Sequence, residues 1–176
     1  QSITCLFEII NGRKSLFSGD YKFGKTTKHT YLPNNHEEYF QKEINIIDWL
    51  RDFSDEKDEI FIRSFLGKML FSGDNVLKYI NILSGGEKVR CMLSKMMMLE
   101  GNILSFDNPT NHLDLESIQA LNNAMIDFKG TILFSSNDHE LTQSVANRII
   151  EITPDSNYDK LMNYQEYIKF KNNKSE

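Results

Sequence analysis

The chain has 176 residues, with 20 Lys+Arg against 25 Asp+Glu and a net charge of −5 at pH 7. Hydrophobic residues make up 40% and aromatics 11%, enough for a sizeable core and too many for a wholly disordered chain. No apolar run approaches the ~20 residues of a membrane helix, no charged stretch leads into a secretory core, and the acidic balance argues against sequence-blind nucleic-acid binding by the whole surface.

Cys5 and Cys91 have neither metal-ligand spacing nor a disulfide framework, so the expectation is a reduced, cytosolic protein without a membrane partner. Residues 3–10 read as a short apolar helix stopped at Asn11-Gly12. Tyr21 to Phe23 and Thr27 to Leu32 alternate as short strands, the second broken at Pro33. From about 43 to 70 the period turns helical. Ile46, Ile47, Trp49, Leu50 and Phe53 make one apolar face; Ile60, Phe61, Phe65, Leu66, Met69 and Leu70 make another. Residues 84–99 form a helix with a Val89, Met92, Leu93, Met96, Met97 stripe that turns Met98 away. A buried strand at 102–106, a helix carrying Leu115, Ile118, Leu121, Met125 and Phe128, a second strand at 131–134, a helix at 139–146 and a third strand at 148–152 follow, with Pro154 ending the last. That alternation predicts βαβ crossovers and an α/β fold with a parallel sheet. Tyr164 to Phe170 reads as a terminal helix, and the polar residues 171–176 as frayed.

Two segments carry chemistry. Leu83-Ser84-Gly85-Gly86-Glu87-Lys88 opens a helix, and two glycines there let a phosphate approach free N–H groups and the helix dipole. The same residues also read as a plain capping box, Ser84 at the N-cap and Glu87 at N3. Ile103-Leu-Ser-Phe-Asp107 sets a carboxylate at the carboxyl edge of a parallel sheet, where it is placed to hold Mg²⁺ or to cap the next turn. His112, beyond it, reads on its own as a surface or capping residue. Lys22, Lys25 and Lys28 read as a solvated strand face rather than an RNA contact.

The two segments together, about 20 residues apart, resemble the nucleotide-binding domain of ABC ATPases. Leu-Ser-Gly-Gly-Glu-Lys is similar to the ABC signature, Ile-Leu-Ser-Phe-Asp to Walker B, and Pro109-Thr-Asn-His-Leu-Asp114 to the D-loop as the ABC-F subfamily writes it, in its YbiT-like branch. The resemblance implies an ABC-type P-loop NTPase fold, with a parallel sheet and a helical signature subdomain at about 41–99. A core at about 100–153 carries Walker B, D-loop and switch, and a tail runs over 154–176. It implies ATP and Mg²⁺ as cofactors, a second ABC nucleotide-binding domain as partner, and the ribosome as a further partner.

It also assigns positions. Aligning Thr4-Cys5-Leu6-Phe7 with the family's Ser/Thr-Thr-Leu-Leu puts Ile3 at the Walker A lysine, so the expectation is a domain incomplete at its N-terminus. Thr4 falls at the Mg²⁺ hydroxyl, with Cys5 beside it. Asn34 falls at the Q-loop glutamine, Asn108 at the catalytic glutamate and Asn137 at the switch histidine, with His139 where the family has Arg. Ser84, Gly85, Gly86, Glu87, Asp107 and Asp114 keep the family's residues. An Ile cannot supply charge to phosphates, and an Asn cannot accept a proton from water. The resemblance therefore implies an ATP-binding domain with impaired hydrolysis. The alternative is a pseudo-ATPase interaction module, or a degenerate remnant, that lends its signature to a partner nucleotide-binding domain.

Overall fold

Three parallel strands carry the candidate site in the computed structural model, which describes residues 2–153 and 156–174. They are β1 (His29–Leu32), β2 (Ile103–Asp107) and β3 (Thr131–Ser135), in the order β1-β2-β3. Leu32 pairs with Phe106, and Asp107 with Ser135. The central strand is flanked on both sides, which suits its apolar run. Helix α1 (Ser2–Ile10) packs on β2 and buries Phe7, which stacks on Tyr31 at 6.1 Å between ring centroids.

Between β1 and β2 the chain is helical. Helix α2 (Ile46–Arg51) is capped by the Asn45 side chain, which accepts from the Asp48 N–H at 2.8 Å. Helix α3 (Glu59–Lys68) is capped in the same way by Asp58, at 3.0 Å from Phe61 N. Helix α4 (Gly85–Met98) packs on α3 and on α2. Their shared core holds Ile46, Trp49, Leu50, Ile62, Leu66, Ile80 and Met92. The Trp49 indole N–H donates to the Tyr39 carbonyl at 2.9 Å, so the ring is buried without an orphaned donor. After β2 come α5 (Leu115–Asp127), β3 and α6 (His139–Val145).

Several expectations need correction. The third strand, β4 (Ile149–Ile152), does not join the parallel sheet. It pairs antiparallel with β5 (Asn157–Lys160), which the sequence did not reveal. Its residues alternate half-buried and exposed, as in a hairpin with one solvated face, and Arg148 clasps Asp159 across it at 2.7 and 2.5 Å. Pro154 lies outside the described residues. No strand forms at Tyr21 to Phe23. There the Tyr21 hydroxyl donates to the Ile9 carbonyl at 2.8 Å, and Phe23 packs against the Tyr21 and His29 rings in place of ladder pairing. On α3 the buried side is Ile62 and Leu66, continued by Met69, whereas Ile60 and Phe61 face water. Met98 is buried like Met96, while Met97 is only half-buried. Leu115 is exposed. The final helix, α7 (Tyr164–Lys174), continues through 171–174.

The two sides of α3 predict opposite costs. Leu66→Ala, at a wholly buried site, should lower unfolding free energy by about 2–5 kcal/mol in urea titrations. Ile60→Ala, 80% exposed, should stay within about 0.5 kcal/mol.

Candidate functional site

Asp107 ends β2 and is 1% exposed. Its two oxygens are treated unequally. Oδ1 accepts from the Ser135 hydroxyl at 2.9 Å and from the Asn108 side-chain amide at 3.1 Å. Oδ2 is buried with no hydrogen-bond partner among the described residues. A buried acceptor left open is costly, and a carboxylate oxygen free at a sheet edge suits a hydrated divalent cation. Asn108 itself has φ +52, the left-handed region that Asn tolerates better than most residues. Its backbone N–H donates to the Ser135 carbonyl at 3.0 Å. Sequence reading missed Ser135, whose strand pairing places its hydroxyl directly beside Asp107.

The signature-like turn and the loop after β2 are pressed together. Ser84 and Glu87 make the full capping box of α4: the Ser84 N–H donates to Glu87 Oε2 at 2.9 Å, and the Glu87 N–H to Ser84 Oγ at 3.3 Å. The capping reading therefore holds, and what approaches the two glycines closely is the chain's own loop after β2. A Cβ on Gly86 would sit 2.7 Å from the His112 carbonyl oxygen, and one on Gly85 would sit 3.2 Å from His112 Cβ. His112 takes φ +65 to bring its backbone there. Between the two segments lies an open cavity of about 300 Å³, lined by Ser84, Gly85, Gly86, Glu87, Arg90, His112, Asp114 and Ser117. The N–H groups at the start of α4 suit an anion there, while the Arg90 guanidinium at its side donates to the Met69 carbonyl at 3.4 Å and lies over the Phe71 ring. Arg90 is a second residue that sequence reading did not single out. Asp114 caps α5, accepting from the Ser117 N–H at 2.9 Å, and hydrogen bonds from the Ser117 hydroxyl first and its N–H second hold the carboxyl below the ordinary range.

The remaining positions are scattered. Ile3, Thr4 and Cys5 lie half-buried on α1. Asn34 is exposed and accepts from the Asn111 amide at 3.4 Å, which ties its loop to the one after β2 rather than to Asp107. Asn137 is exposed, and its side chain makes no hydrogen bond among the described residues. Its neighbour Asp138 caps α6, accepting from the Glu140 and Leu141 N–H groups. His139 Nδ1 pairs with the Tyr164 hydroxyl at 2.7 Å. On β1, burial first and the charge of Asp107 second raise the Tyr31 phenol to about 12, and its hydroxyl has no partner among the described residues.

Comparison with known proteins decides the family. No family model matches the chain. It is 55% identical over 170 residues to YkpA of Bacillus subtilis (strain 168), described as an uncharacterized ABC transporter ATP-binding protein, a match spanning 96% of this chain and 32% of YkpA. It is 42% identical over 155 residues to the probable ATP-binding protein YbiT of Escherichia coli O157:H7, across 88% of this chain and 29% of that one. Against ABC transporter F family member 5 of Arabidopsis thaliana it is 28% identical, across 93% of this chain and 24% of the relative. The chain belongs to the ABC-F type ATP-binding proteins. It spans about a third or less of the length of these ABC-F relatives. Solved structures agree on the fold. The RNase-L inhibitor gives a TM-score of 0.74 at 20% identity, covering 95% of this chain and 33% of that one. A putative metal-chelate type ABC transporter gives 0.72 at 14%, covering 90% and 68%. Among the described residues no helix is long and apolar enough to cross a membrane.

Two predictions test this geometry. Gly→Ala inside a helix normally stabilises by about 0.5–1 kcal/mol. Gly67 on α3 has open space around its Cβ position, so Gly67→Ala should show that gain. Gly86→Ala should reverse the sign, losing about 1–3 kcal/mol through overpacking against the His112 backbone; urea melts of both variants compare them directly. The second concerns pH. Burial works against the Glu87 charge, but hydrogen bonds from Lys78 (2.8 Å) and Ser84 outweigh it and leave the carboxyl depressed. A depressed carboxyl stabilises the fold above its unfolded pKa, and that contribution fades as pH falls through the folded value. Glu87→Gln should therefore lower the melting temperature at pH 7, and the difference should shrink as pH falls below the ordinary carboxyl range and through the depressed folded value.

Proposed function

We propose that this chain is the nucleotide-binding domain of an ABC-F ATPase that presents its signature surface to ATP while turning over little ATP itself. The observation that carries the reading is the preformed unit of Ser84, Gly85 and Gly86 against the His112 backbone, together with the open oxygen of Asp107 at the end of β2. The helical part at about 41–99 carries the signature, the core at about 100–153 carries Asp107, and residues 154–176 form a tail. In this reading Ser84, Gly85, Gly86 and Glu87 serve a nucleotide held by a second ABC nucleotide-binding domain, with Asp114 fixing the facing loop. Thr4 and Asp107 would hold Mg²⁺, which when bound neutralises phosphate charge. Ile3, Cys5 and Asn137 stand at nucleotide-facing positions without a charge to offer, while Asn34 is turned away to Asn111.

The chemistry of the donor set explains low turnover. Asn108 spends its amide as a donor to Asp107 Oδ1 and cannot take a proton from water. Loss of a positioned base typically costs about 10²–10⁴ in rate, and Ile3 removes charge from the β/γ-phosphates as well. The ABC-F relationship supports the ribosome as the working partner, and one fold neighbour is an archaeal ribosome recycling factor, solved with a ribosomal stalk protein.

Phosphate release from Mg-ATP by the purified chain should stay at background, and Asp107→Asn should not change it. Ile3→Lys with Asn108→Glu should raise release at least tenfold. Rapid hydrolysis by the parent chain, abolished by Asp107→Asn, would refute impaired turnover. The second reading, a module with no nucleotide of its own, rests on Ile3. It predicts no rise in melting temperature at saturating Mg-ATP, whereas binding at 100 times Kd adds about 2.7 kcal/mol.

A further inference from the structure

Tyr31 sits opposite Ser105 in the β1–β2 register, and Asp107 is two residues beyond Ser105. Alternate strand residues share a face, so Tyr31 and Asp107 point to the same side of the sheet. That side is the one covered by α1, because Phe7 stacks on Tyr31. Thr4 lies three residues before Phe7 and so shares its side of the helix. Two buried oxygens without partners among the described residues, Tyr31 Oη and Asp107 Oδ2, thus lie on the one side of the sheet that α1 covers. Asp107 Oδ1 is already occupied by Ser135 and Asn108. Asn34, at the position that would ordinarily face this space, is exposed and turned to Asn111.

We propose that Tyr31 is a positioning residue for a hydrated divalent cation, Mg²⁺ or Mn²⁺: its hydroxyl and Asp107 Oδ2 form one polar site beside Thr4. A cation of this kind keeps several of its waters, and those waters need acceptors. Asp107 Oδ2 supplies one with charge, and Tyr31 Oη a neutral second. The proposal rests on the nucleotide-binding reading, and it moves the polar role from Asn34 to a residue of β1.

The test is a Mn²⁺ titration followed by electron paramagnetic resonance, with ATP present, on the full chain and on Tyr31→Phe, Asp107→Asn and Asn34→Ala. A fluorescent ATP analogue in parallel samples reads nucleotide binding separately. Outer partners of metal ligands typically account for 10–100-fold in affinity. Tyr31→Phe should weaken Mn²⁺ at least tenfold, Asp107→Asn should abolish it, and Asn34→Ala should leave it unchanged. Unliganded Tyr31→Phe should melt no lower than the parent, since the deleted hydroxyl has no partner. Parent-like Mn²⁺ affinity in Tyr31→Phe would overturn the proposal and leave the nucleotide reading intact. A lowered melting temperature in the unliganded variant would mark the hydroxyl as structural and also overturn it. Absence of Mn²⁺ binding by the parent would sink the proposal. If the analogue then also failed to bind, the nucleotide reading would fall with it.

Discussion

The approach of the His112 carbonyl to the first turn of α4 is the constraint around which the site is organised. At 2.7 Å from where a Cβ would stand, that oxygen leaves room for glycine alone at position 86. The contact joins two parts of the molecule with different architectures: the helices between β1 and β2, and the parallel sheet that carries Asp107. Everything at the cavity follows from it. The capping box sets the direction of α4, Asp114 sets the start of α5, and their N-termini border one open space with Arg90 at its side. Two left-handed residues, Asn108 and His112, fold the intervening loop so that it can arrive there.

The second organising feature is the asymmetry of Asp107. One oxygen is bound twice inside the protein and the other has no partner among the described residues. Asp58 and Asp114 also cap with one oxygen, but they are exposed and water reaches the other, whereas the second oxygen of Asp107 is buried. The same asymmetry gives the substitution at position 108 a physical meaning. A Glu there would place a second carboxylate beside Oδ1, whereas Asn donates to it, so the site gains local satisfaction and loses its base. Stability and turnover pull this position in opposite directions.

Much of this was legible in the sequence. The Ser84-x-x-Glu87 spacing announces a capping box, and the run ending in Asp107 announces a buried strand, because each depends on short-range chemistry. What stayed hidden depends on long-range pairing. Ser135 matters because β3 lies in register with β2, and Tyr31 because β1 does. The period of β4 was readable, but its partner was not. Asn157-Tyr-Asp-Lys160 is polar, with only Tyr158 half-buried, so it carries no apolar signal of its own. Met98 was misplaced because three consecutive methionines cannot share one helical face, yet α4 is covered on more than one side, by α2 and α3 among others. Roles at Ile3, Asn34 and Asn137 came from family resemblance, and local physics at those positions is silent.

The account's central claim is that the signature turn and the loop after β2 form one unit before any nucleotide arrives. Native-state hydrogen exchange without nucleotide tests it most directly. The amides of Asn111 and Leu113, bonded to Asn108 and Thr110, should share one opening free energy with Lys88 and the amides that follow it in α4. If the loop amides exchanged freely while α4 stayed protected, the two segments would be independent and the claim would be wrong.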